Sequence, residues 1–61
     1  MSLERARAVL NTVQGRGAWW IREWGLSTVR EAIRTIRKRK SATDQDREQA
    51  NAVEWGLHKN P

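Results

Sequence analysis

Gly25-Leu26-Ser27-Thr28-Val29-Arg30-Glu31-Ala32-Ile33-Arg34-Thr35-Ile36-Arg37-Lys38-Arg39-Lys40 carries two patterns at once. Val29, Ala32, Ile33 and Ile36 recur at i, i+3, i+4 and i+7, the spacing of a buried helical stripe. At about 100° per residue, Arg30, Arg34, Arg37 and Lys38 group on one flank, with Glu31 and Thr35 beside them. Thr28 followed three residues later by Glu31 reads as a capping box, and Ser27 is the competing cap. The pattern predicts a helix over 28–40 with one side for the protein interior and another for a partner.

Working outward, residues 18–24 read as a short helix in which Trp20, Ile21 and Trp24 share a face and Trp19 points elsewhere. Gly25 suits the left-handed residue that ends it, with Leu26 folding back onto Ile21. Upstream, Leu3, Ala6, Val9, Leu10 and Val13 make one apolar stripe on a helix over 2–14, with Ser2 as cap and Glu4 in the first turn. Gly15-Arg16-Gly17 reads as a break, because two glycines so close make continued helix costly. Downstream, Lys40-Ser41-Ala42-Thr43 is a polar connection. Thr43 with Asp46 then caps a helix over 44–56 whose first turn is acidic through Asp44, Asp46 and Glu48. Its thin apolar stripe is Ala50, Val53 and Leu57, supplemented by Ala52 and Trp55. Glu-Trp-Gly-Leu occurs twice, at 23–26 and 54–57, but the flanks do not match. Two helices stopped by the same Gly-Leu device explain it better than an internal repeat. No segment alternates with period two. The expected fold class is all-α: one domain over 1–61, a small helical bundle of three to four helices containing a helix-turn-helix-like pair.

Composition narrows the function. A chain of 61 residues buries only roughly 60% of its unfolded surface. It would hardly wall the pocket of about 300 Å³ that most small-molecule sites need. There is no cysteine and one histidine, His58, which reads as a charge complement in a fraying C-terminal tail. A disulfide framework, a thiolate or His-based metal cage and a Ser–His triad therefore have little support. The acids Asp44, Asp46 and Glu48 lack the glycine and closing acid of a calcium loop, so capping explains them better. We expect no enzyme, no cofactor and no metal. The longest apolar run is the four residues Ala18–Ile21, too short for a signal peptide or a membrane span, and a cysteine-free chain suits the cytoplasm. Leu, Ile and Val total eleven of 61, a thin core even with four Trp. A homodimer and a monomer with Trp-rich packing answer that equally well.

Charge is the strongest pointer. Residues 28–40 hold six bases and one acid, while the rest of the chain holds six of each. The whole net charge of +5 maps to this one segment, the footprint of a polyanion binder. Read together, residues 18–34 have the layout of a helix-turn-helix, in which the second helix offers its N-terminal residues to a DNA major groove about 12 Å wide. The run Gly-Leu-Ser-Thr-Val-Arg-Glu-Ala-Ile-Arg over 25–34 resembles the recognition region of GntR-type winged-helix regulators, where Gly-(Val/Leu)-Ser-x-x-Thr-Val-Arg-Glu-Ala-Leu is typical. About ten residues carry the resemblance. Two residues usually found between the Ser and the Thr are missing, and no strand pair supplies a wing.

A DNA reading assigns roles. Ser27 and Thr28 at the helix start would touch a phosphate. Arg30 and Arg34 would read bases, since Arg pairs bidentately with guanine. Glu31 would accept from cytosine or complete the capping box. Arg37, Lys38, Arg39 and Lys40 would grip the backbone, and Arg16 would add a phosphate contact. The partner is nucleic acid, double-stranded DNA before RNA, although an arginine-rich helix also docks RNA hairpins. The competing class is a protein-binding module or inhibitor acting on a host protein through Trp19, Trp20, Arg22, Trp24 and Trp55, the residue types enriched at binding hot spots. No membrane is expected as partner. The size fits a regulator of phage or mobile-element type.

Overall fold

The computed structural model describes residues 1–16 and 25–59. Three helices are found there and, among the described residues, no strand: α1 (Leu3–Arg16), α2 (Leu26–Lys38) and α3 (Asp44–Lys59). The expected helix over 18–24 lies outside the described residues.

Helix α1 starts where Ser2 Oγ accepts from the Arg5 amide at 3.2 Å, as the cap reading requires. It buries Ala6, Val9, Leu10 and Val13, with Leu3 packed at the edge. Helical backbone continues through Gly15 to Arg16, two residues past the expected end at 14, and Gly17 of the expected Gly15-Arg16-Gly17 break lies outside the described residues. One helical glycine costs only about 1 kcal/mol, which the buried stripe before it offsets.

Helix α2 begins two residues earlier than expected. Gly25 is its N-cap, at φ +83° and ψ 142°, with no side-chain cap bond. That combination of positive φ and extended ψ is open essentially to glycine and costly for other residues. Ser27 and Thr28 are therefore the second and third helical residues, and the Thr28–Glu31 capping box is not formed. Leu26 is the first helical residue, 42% exposed. Val29, Ala32, Ile33 and Ile36 are all buried, as the spacing demands. The helix stops at Lys38, so Arg39 and Lys40 belong to the following turn. That turn is held by the Ala42 amide donating to Arg39 O at 3.2 Å and by burial of Ala42 in the core.

Helix α3 opens on a complete capping box. The Asp46 amide donates to Thr43 Oγ1 at 3.1 Å, and the Thr43 amide donates to Asp46 Oδ2 at 2.9 Å. Ala50 and Val53 are buried and Leu57 packs against them. Two expectations are corrected. Gly56 does not stop the helix, which runs to Lys59 and takes in His58. Ala52 and Trp55 do not extend the stripe: both are exposed, Trp55 by 67%.

All three helices touch one another around a single apolar cluster, in which Val9, Leu10, Val29 and Ile36 are the largest fully buried side chains. Each such side chain contributes about 1.5–3 kcal/mol of burial. The α1–α3 contact is edged by polar clamps. Arg7 binds Asp46, and Gln49 donates to both Asn11 and Gln14, the latter at 2.9 Å.

Candidate nucleic-acid interface

The buried stripe of α2 fixes the orientation of everything else on that helix. With Val29, Ala32, Ile33 and Ile36 facing inward, Arg30, Arg34, Arg37 and Lys38 are left on one solvent-facing flank. Arg30 and Lys38 are eight residues apart, so the flank runs about 12 Å along the axis. All four side chains line an open groove of about 480 Å³ between α2 and α3, together with Ile33, Glu54 and Leu57. Arg30 and Arg34 also border a shallow recess at the start of α2 with Leu26, Ser27 and Glu31. A second open groove, about 510 Å³, lies between α1 and α3 beside Arg7 and Gln49.

The four cations are not equivalent. Arg37 is engaged by α3: its Nη1 lies 2.8 Å from Glu54 Oε2, its Nη2 donates to Glu54 Oε1 at 2.9 Å, and Nη2 also reaches Asn51 Oδ1 at 3.3 Å. The hydrogen bond to Glu54 raises the Arg37 pKa above its ordinary value. Among the described residues, Arg30, Arg34, Lys38 and Lys40 are exposed and have no ion-pair partner. Arg39 makes one long contact, from Nη2 to Met1 O at 3.5 Å. Lys38 and Arg37 also lie in the last turn of α2, where the helix dipole favours positive charge.

The remaining site residues are dispersed. Glu31 is exposed, with Oε1 3.8 Å from the Met1 amino group. Arg16 is the last residue of α1. Trp19, Trp20, Arg22 and Trp24 lie outside the described residues. Trp55 projects from α3 without lining the α2–α3 groove. Asn51 and Glu54 join the site without having been expected there. Their separation of three residues puts them on one face of α3, but only the crossing of α3 over α2 shows that this face meets Arg37.

The acids at the start of α3 are used locally. Asp46 holds Arg7 and caps the helix, and Asp44 pairs with Arg47 at 3.1 Å. Among the described residues, no group of three or more His, Asp or Glu side chains could hold a metal ion. No described helix is long and apolar enough to cross a membrane. No family model matches the chain, and no curated protein or solved structure matches it either.

Proposed function

We propose that this chain is a small DNA-binding regulatory or accessory protein, binding without catalysis, that presents α2 to a duplex. One observation carries the reading. Arg30, Arg34 and Lys38 stand exposed and unpaired among the described residues, on a helix whose opposite stripe is wholly buried. A rigid helix with an unneutralised basic flank suits a polyanion, and its width suits a major groove. In this reading α2 is the recognition helix of a helix-turn-helix-like pair within a small bundle, as the likeness to GntR-type regulators implies. Arg30 and Arg34 face bases, with Ser27, Thr28 and Glu31 beside them at the helix start. Lys38, Arg39 and Lys40 grip phosphates, and a homodimer would set two such helices on half-sites one DNA turn apart.

The test is fluorescence anisotropy with a random 20-base-pair duplex over a series of salt concentrations. Neutralising phosphates with Lys38, Arg39 and Lys40 gives an expected slope of log Kobs against log salt of about −3. Absence of binding at about 50 mM salt overturns the reading. An RNA hairpin as competitor separates RNA from DNA.

A second reading, a helical module acting on a host protein, is favoured by Trp55, which is 67% exposed on α3. Pull-down from lysate with and without nuclease divides the two, because capture through DNA disappears with nuclease.

A further inference from the structure

We infer that Glu54 is a built-in competitor for phosphate at Arg37, so that the nucleic-acid interface is the α2–α3 groove and Glu54 sets its affinity. The inference rests on the reading of α2 as the DNA-facing helix and adds a residue from a different helix to it.

The geometry is that of a fork on a carboxylate. Two Arg37 nitrogens meet the two Glu54 oxygens at 2.8 and 2.9 Å, and Asn51 accepts a further bond from Nη2. A guanidinium has five N–H donors and two bidentate edges: Glu54 takes the Nη1–Nη2 edge, and Asn51 engages Nη2 on the other. A phosphate approaching Arg37 must either displace Glu54 or accept single bonds from what is left. The pair is also electrically neutral, so Arg37 adds no net charge to the flank while Glu54 holds it. Displacement is within reach, because the side chains are 48% and 38% exposed and an ion pair this open is weak. The groove shared by Arg30, Arg34, Lys38 and Glu54 brings this acid to the phosphates' own path.

Glu54→Gln removes the competitor and keeps the shape. Glu48→Gln removes the same charge on the α1–α3 side, where Glu48 is exposed away from α2. With the random 20-base-pair duplex as probe, Glu54→Gln should bind about two- to five-fold tighter than wild type. Its salt slope should be more negative by about 0.9, one further phosphate neutralised. Glu48→Gln should leave the slope unchanged. Arg37→Ala alone leaves the Glu54 carboxylate without its Arg37 partner in the groove and should weaken binding, whereas Arg37→Ala in the Glu54→Gln background should abolish the gain and return affinity to about the wild-type level. Wild-type affinity in Glu54→Gln, weaker binding, or a gain that survives loss of Arg37 overturns the inference while leaving the DNA reading standing. No duplex binding by wild type overturns both. Helical circular dichroism checks each variant, and Glu54→Ala, with the best helix propensity, repeats the test if Gln does not fold.

Discussion

Arg7 and Asp46, 39 residues apart, are joined by a three-bond fork that ties α1 to the first turn of α3. Arg7 Nε donates to both carboxylate oxygens, at 3.0 and 3.1 Å, and Nη2 donates to Oδ2 at 2.7 Å. The same Oδ2 accepts the Thr43 amide. One carboxylate thus caps a helix and fastens it to another.

A pH dependence follows from that double role. The Arg7 hydrogen bond, then the Thr43 amide, lower the Asp46 pKa from its ordinary 3.8 to about 2. Because the folded value lies below the unfolded one, the stabilisation is complete above the unfolded pKa of about 4 and is lost as pH falls through about 2. Urea melts at pH 6, 3 and 2 should show stability falling over that window. Asp46→Asn should be less stable than wild type at pH 6 and show a shallower fall. An equally steep fall in Asp46→Asn would remove Asp46 as its cause.

The glycines at 25 and 56 should respond to alanine with opposite signs. Gly25 sits at φ +83°, where a Cβ is strained whatever the space, so Gly25→Ala should cost about 1–3 kcal/mol. Gly56 lies inside α3, its φ is not positive, and a Cβ there would meet nothing within 4 Å. Gly56→Ala should therefore stabilise by about 0.5–1 kcal/mol. Denaturant midpoints of the two variants against wild type measure both signs together.

What could be read without coordinates was local. The stripes Val29-Ala32-Ile33-Ile36 and Ala6-Val9-Leu10-Val13, and the Thr43–Asp46 box, lie within a turn or two of chain, where helical geometry alone dictates neighbours. Thr28–Glu31 has the same capping pattern and fails, because Gly25 can adopt a backbone that starts the helix earlier. Gly56 fails as a stop because α3 continues past it at the modest cost of one helical glycine. Trp55 follows Val53 by two residues, about 200° around the helix, so its apolar character does not bring it to the core. Of the site, the basic flank of α2 was legible for the same local reason. The pairing of Arg37 with Glu54, 17 residues away, was not, since it depends on how two helices cross.

Core truncation should be felt in full. Leu10 is completely buried between the helices, and Leu10→Ala should cost about 2–5 kcal/mol. Domains of this length have total stabilities of only about 3–9 kcal/mol, so the variant should be largely unfolded by 37 °C. A cooperative thermal melt by circular dichroism at wild-type midpoint would contradict the packing described.

Arg34 and Lys38 should separate specificity from affinity. Arg34→Ala should weaken the preferred sequence by about 1–3 kcal/mol and random DNA much less, because a base contact is lost. Lys38→Ala should weaken all sequences alike and make the salt slope shallower by about 0.9. Binding-site selection from a random duplex pool, followed by anisotropy on the selected and a scrambled site, distinguishes them. Identical losses on both sites for both variants would reduce α2 to a non-specific polyanion contact.

Trp55 divides the DNA reading from the protein-binding one. It is exposed on α3 and does not line the α2–α3 groove. Substitution of an exposed side chain usually changes stability by no more than about 0.5 kcal/mol, so Trp55→Ala should fold as wild type does. If α2 meets DNA, that variant should keep both its duplex affinity and its salt slope. If Trp55 is instead an anchor in a partner's pocket, nuclease-resistant capture from lysate should fall by a factor of about 30 or more, the scale of a hot-spot aromatic. Retention of capture together with loss of duplex binding would contradict both assignments of Trp55.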